Sequence, residues 1–229
     1  MAYRQPLRDG TWPRPGRWIP QLIAILCVAV TLLLTACSGD PDTASKDLDG
    51  DEAIDEANIK KGVKPQPDEQ VAVLETDYGT IVIELYPNIA PQMVERFKKL
   101  IGEGFYNGTT FHRIDPDLGI IQGGDPLSRD ADPRNDGTGG SNYPDLPAEF
   151  SDVPYERGIV GAARSASPDS ANSQFYITLK RVPNFDQRYT VFGRVTSGMD
   201  VADSISELPR DARDRPREDV AIERVELAE

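Results

Sequence analysis

From Val71 onward, apolar and polar positions alternate in short runs. Val71-Ala72-Val73-Leu74-Glu75 and Thr80-Ile81-Val82-Ile83-Glu84-Leu85 flank Tyr78-Gly79 and predict two strands joined as a hairpin. Ala90-Pro91 then opens a helix with proline in its first turn. Met93, Val94, Phe97, Leu100 and Ile101 recur at helical spacing, and Gly102 or Gly104 ends the element. Short strand-like runs follow among Gly, Pro, Asn and Asp turns, up to Tyr189-Thr190-Val191-Phe192-Gly193-Arg194-Val195. A second helix is expected from about Gly198 to Ile205, closed by Pro209, and the alternating run Ala221 to Leu227 reads as a last strand. Many strands, two helices and no βαβ rhythm predict a mainly β, antiparallel barrel.

The first seventy residues have a different pattern. Arg4, Arg8, Arg14 and Arg17 stand against a single Asp9. An apolar run from Leu22 to Leu34, broken only by Thr31, then leads into Leu34-Thr35-Ala36-Cys37-Ser38. A basic head, a short apolar core and small residues describe a secretory signal, and the core is shorter than the ~20 residues a spanning helix needs. The Leu-Thr-Ala-Cys tetrad resembles a bacterial lipobox, which implies residues 1–36 as a signal peptide and Cys37 as the lipidated N-terminus of the mature chain. The alternative is an uncleaved apolar anchor that happens to hold a cysteine. Residues 37–70 are acidic and proline-bearing, with almost no large apolar side chains, and read as a tether. As a coil its 33 residues after Cys37 reach roughly 30 Å. The acidic run Asp47 to Glu52 misses the calcium-loop spacing, with Glu52 where Gly is needed and Asn58 where Glu is needed.

Charge narrows the possible partners. The chain carries a formal net charge of −13, and loss of residues 1–36, with four arginines and one aspartate, takes it to −16. No nucleic-acid partner is expected of such a chain, nor adhesion to anionic lipid by charge, so the lipid would have to hold the membrane alone. Cys27 would leave with such a signal, and the mature chain would then form no internal disulfide. With no heptads and a globular part of about 160 residues, a monomer is expected.

The chemistry-bearing residues lie in Phe111-His112-Arg113-Ile114, Ile121-Gln122-Gly123-Gly124-Asp125 and Ser173-Gln174-Phe175-Tyr176. One arginine and two glutamines among aromatic residues make a poor set for covalent chemistry and a good one for gripping an amide. His112 is the chain's one histidine and is expected to be a hydrogen-bonded barrel residue rather than a base or zinc ligand. Gly123, Gly124 and the glycines at 137–140 lack the lysine and helix of a phosphate cradle and are assigned to turns. Asp130, Asp132, Asp136 and Asp145 read as a solvated loop.

Together these segments resemble the cyclophilin family of peptidyl-prolyl cis/trans isomerases, with similarity from about Val71 to Leu227. The resemblance implies a closed, eight-stranded antiparallel barrel capped by two α-helices over residues 71–229. It implies isomerase activity on proline-containing polypeptides, with no cofactor or metal. Arg113 would be the catalytic cation and Gln122 a ligand of the substrate backbone. Ala163, Arg164 and Ser165 would line up the residue before proline, and Gln174 and Tyr176 would line the groove. The Asp136-Gly137-Thr138-Gly139-Gly140 run matches the family's loop beside the groove.

The chain departs from the pattern between Arg113 and Gln122, where Asp115-Pro116-Asp117-Leu118-Gly119-Ile120 is one residue longer than usual. The phenylalanine that floors the family's proline pocket is replaced by Leu118 or by Gly119. Ile120 remains as the aliphatic neighbour, and Phe185 and Tyr189 are available as aromatic walls. Asn184 stands where many members have tryptophan, which argues against tight binding of cyclosporin-like macrocycles. Two readings follow: a lipid-anchored isomerase for exported polypeptides in the cell envelope, outside the cytoplasm, with altered activity or preference, and a tethered peptide-binding module of the same fold that turns over poorly.

Overall fold

The computed structural model describes residues 58–229. Nine antiparallel strands form one sheet: β1 (Val71–Thr76), β2 (Gly79–Leu85), β3 (Thr109–Thr110), β4 (Arg113–Asp115), β5 (Ile120–Gly123), β6 (Ile159–Ala162), β7 (Phe175–Thr178), β8 (Val191–Ser197) and β9 (Ala221–Ala228). Their order is β3-β9-β1-β2-β8-β6-β7-β5-β4. The eight expected strands become nine because one extended run is broken at Phe111-His112. Its first part pairs with β9 and its second with β5. The sheet therefore closes through the covalent chain from Thr109 to Asp115, without a β3–β4 ladder.

The predicted helices form as α1 (Pro91–Gly102) and α2 (Met199–Ser206). In α1 the expected stripe of Met93, Val94, Phe97, Leu100 and Ile101 is buried. Ala90 offers no capping side chain, so the exposed amides at the start of α1 need a remote acceptor. Glu149 supplies it, accepting from the Gln92 and Met93 N–H groups at 3.1 and 2.9 Å. A carboxylate at this end of the helix is also favoured by the helix dipole.

The strands divide the apolar residues between two clusters. Ala72, Leu74, Ile81 and Ile83 from the hairpin join Ile121, Val160, Ala162, Phe175, Ile177 and Phe192 in the inner core, together with the α1 stripe and Ala202 and Ile205 of α2. Residues of opposite parity on four of those strands, Ile120, Ile159, Tyr176 and Val191, point outward into a second cluster with Tyr86, Ile89, Tyr155, Val182 and Phe185. This explains why β6 and β7 are buried along their whole length. An alternating strand would otherwise keep one face wet.

The stretch before β1 does not end at residue 70 as a tether. Lys60 makes a parallel bridge with Ser151, its N–H bonds to the Phe150 carbonyl, and its ammonium donates to the Ile89 carbonyl at 2.7 Å. Ile59 is buried, the Asn88 amide donates to the Lys64 carbonyl, and Asp68 pairs with Lys98 at 3.0 Å. Backbone and side-chain hydrogen bonds to the domain thus hold a segment that has little apolar surface of its own. Cys37, the signal-like run and the acidic run at 47–52 lie outside the described residues.

Candidate functional site

Strand register brings the named polar residues to one outer face. In the β4–β5 ladder Arg113 stands opposite Gln122, and in the β5–β7 ladder Gln122 stands opposite Tyr176. Tyr176 in turn faces Gly161 across β6–β7. Arg113, Gln122, Tyr176 and Gly161 therefore form one rung across four strands, with their directions set by the period of two. Gly161 is required there: a Cβ would stand 2.5 Å from Tyr176 Cζ and 2.7 Å from the Tyr155 hydroxyl.

Above the rung lies a polar wall. Gln122 Nε2 donates to Gln174 Oε1 at 2.9 Å, and Gln174 Nε2 donates to the Gly139 carbonyl at 2.8 Å. The Gly139 N–H donates to buried Asp125 at 3.0 Å, and a side chain at 139 would collide with that carboxylate. This chain of bonds ties the 137–141 loop to the end of β5. A cavity of about 400 Å³ opens between loop and sheet, lined by Gln122, Ala163, Arg164, Ser165, Asn172 and Gln174, among others. Asn172 holds Ser141 through the Ser141 N–H and hydroxyl, at 2.8 and 2.6 Å.

Beside this wall lies an apolar one. Phe185 and Tyr189 stand with ring centroids 4.6 Å apart, and Tyr176 is 5.3 and 6.0 Å from them. Edge-to-face and tilted contacts of this kind favour a fixed aromatic surface. Tyr176 turns its hydroxyl inward to donate to the Tyr155 hydroxyl at 3.0 Å, so its ring works as an apolar wall. Burial pushes both phenols well above the usual tyrosine range. Leu118, Ala163 and Tyr189 pack on the outer cluster, and the Arg164 guanidinium lies 4.4 Å from the Tyr189 ring centre. Of the two positions available where the family has phenylalanine, Leu118 is the one whose side chain joins the apolar wall.

Arg113 stands on the other side of the rung. With Gln122, His112, Arg134, Asp136, Arg213 and Arg215 it borders a second cavity of about 240 Å³. His112 is only 6 % exposed, and no side chain among the described residues hydrogen-bonds its ring nitrogens. Burial pushes its pKa below the ordinary imidazole value, against the pull of Asp125 and Asp136. Asp136 is likewise no solvated loop residue: its side chain is 4 % exposed and pairs with Arg215 at 2.6 Å. Packing of the 133–137 loop against the 211–215 segment buries both groups, which no local pattern signals.

Sequence reading missed Asp115, Tyr155, Gly161 and Asn172. Asp115 was findable, since it lies two residues from Arg113 on one strand and so shares its face. The other three depend on cross-strand or loop packing.

Residues 71–227 match the family described as cyclophilin type peptidyl-prolyl cis-trans isomerase/CLD. The chain belongs to that family, and its members and relatives are peptidyl-prolyl cis-trans isomerases. A probable peptidyl-prolyl cis-trans isomerase of Brucella suis is 48% identical over 141 residues, covering 60% of this chain and 71% of the relative. The isomerase ppi1 of Schizosaccharomyces pombe is 38% identical over 152 residues, covering 65% of this chain and 93% of the relative. Among solved structures, a Cryptosporidium parvum cyclophilin crystallised in the presence of the dipeptide Ala-Pro superposes with a TM-score of 0.63. It is 27% identical and covers 69% of this chain and 99% of its own.

Proposed function

We propose that the groove isomerises X-Pro bonds with Arg113 as the catalytic cation, and that the chain does so on exported polypeptides from a lipid anchor at Cys37. The observation that carries the catalytic part is the rung: Arg113 and Gln122 face each other in register beside the Tyr176, Phe185 and Tyr189 rings. Amide resonance opposes rotation by about 18–20 kcal/mol. No proton transfer or nucleophile is needed to lower that barrier. The proline ring seats against Tyr176, Phe185, Tyr189, Leu118 and Ile120. Gln122 holds the flanking backbone, and Ala163, Arg164, Ser165 and Gln174 line the course of the preceding residues. The guanidinium then favours a lone pair localised on the prolyl nitrogen as the bond twists, a stabilisation that grows toward the transition state. The Ala-Pro dipeptide used with the C. parvum relative fits the same class of substrate.

Arg113→Ala tests this reading in a protease-coupled assay on short X-Pro peptides. Loss of one such electrostatic donor is expected to lower turnover by about 10²–10³, with peptide binding retained. Turnover equal to that of the unaltered protein would reject Arg113 as the catalyst.

The anchor is supported by the basic head, the apolar run and Cys37 at its end. In a bacterial host, Cys37→Ala is expected to abolish incorporation of labelled fatty acid and move the protein from the membrane to the soluble fraction. Unchanged membrane retention without fatty acid would instead support the uncleaved anchor.

A further inference from the structure

We infer that Asp115 is the positioning residue of Arg113, gripping the guanidinium from the start of the 115–120 turn. The inference rests on the reading of Arg113 as catalyst. The two side chains leave the same face of β4, and Arg113 Nη2 donates to Asp115 Oδ2 at 2.7 Å. The glutamines beside it are otherwise engaged, with Gln122 bonded to Gln174 and Gln174 to the Gly139 carbonyl. Among the described residues, Asp115 is the only side chain hydrogen-bonded to this guanidinium.

The carboxylate is itself held. Its second oxygen, Oδ1, accepts the Leu118 N–H at 2.8 Å, and the Asp115 carbonyl accepts the Gly119 N–H at 2.7 Å. Lys180 fastens the outer side of the turn, donating to the Pro116 and Asp117 carbonyls at 3.0 and 2.6 Å. One carboxylate therefore connects the turn that presents Leu118 to the pocket with the cation that acts on the prolyl nitrogen. A long, flexible side chain is held in one direction, while its remaining N–H groups stay available to substrate. The ion pair is too open to add much stability, with side chains 39 % and 13 % exposed. Its consequence is geometric: a displacement of about 1 Å at a reacting group can cost up to about a hundredfold in rate.

The test compares Asp115→Asn, Arg113→Ala and the double variant of the full chain, by kcat and KM on an X-Pro peptide and by thermal melting. Asparagine keeps an oxygen for the Leu118 N–H but presents no carboxylate to the guanidinium. The expected result is a kcat reduced by about tenfold or more, with KM and melting temperature nearly unchanged. In the Arg113→Ala background the same substitution should have no further effect. Wild-type kcat in Asp115→Asn would overturn the inference while leaving Arg113 as catalyst. So would an equal loss in both backgrounds, since Asp115 would then act on the turn and not through Arg113. Wild-type kcat in Arg113→Ala would overturn both readings together.

Discussion

The two faces of strands β5 to β8 use neighbouring residues for opposite purposes. Inward, Ile121, Phe175, Ile177, Val160 and Phe192 meet α1 and α2 in a closed interior, where Phe97 touches Phe175 and Phe192 with ring centroids 5.5 and 5.2 Å apart. Outward, Ile120, Tyr176, Ile159 and Val191 join buried Phe185 in a second apolar cluster whose rim, Leu118, Ala163 and Tyr189, is only partly buried. The inner face is covered by the protein's own helices. The outer face is covered only in part, and its edge carries Arg113, Gln122 and Gln174. With the function proposed above, one sheet carries a stability face and a recognition face through the period-two alternation.

Truncations on each face should separate those roles. Phe175→Ala opens a hole in the closed interior and is expected to cost about 3–5 kcal/mol in urea denaturation. Activity should fall only as far as the unfolded fraction rises. Tyr189→Ala, on the partly buried rim, should cost at most about 1.5–3 kcal/mol but raise KM for X-Pro peptides with the fold intact. If both substitutions changed stability alike and neither changed KM, the division between faces would fail.

A smaller effect belongs to the buried phenol pair beneath the rim. Tyr176→Phe leaves the Tyr155 hydroxyl without its 3.0 Å partner and is expected to cost about 1–3 kcal/mol. Adding Tyr155→Phe should recover most of that loss, because two apolar groups then replace a broken polar pair. Simple addition of the two losses would show that the hydroxyls do not act on each other.

The smallest effect expected is that of His112. Its pKa is lowered in the folded protein, so below about pH 6.5, the ordinary imidazole value, the unfolded chain takes up a proton that the folded one refuses. Stability should therefore fall as pH drops from about 6.5 toward 5, before most carboxylates titrate, and His112→Gln should remove that slope. Turnover across the same window should change little, since the proposed chemistry transfers no proton. A turnover profile that tracked the imidazole would give His112 a catalytic part.

Much of the architecture was legible along the chain. The hairpin at Tyr78-Gly79, the α1 stripe from Met93 to Ile101 and the final strand appear where local alternation and spacing put them, because the signals are nearest-neighbour steric and burial preferences. The groove was legible through its short segments, and register later brought Gln122 and Tyr176 onto one rung with Arg113. The docked stretch near Lys60 was not legible. Its hydrogen-bond acceptors, the Phe150 and Ile89 carbonyls, lie far away in sequence, and its composition alone resembles a coil.

The sequence by itself determined which residues alternate, where helices begin and end, and which few side chains could act on an amide. Only the tertiary structure decided what each of those residues faces. Glu149 caps α1 across a long loop, Gly161 makes room for Tyr176, the barrel wall buries His112, and Asp115 holds Arg113 at 2.7 Å. The reason is physical: propensity and periodicity are local quantities, whereas contact, desolvation and hydrogen-bond geometry depend on segments that the fold alone brings together.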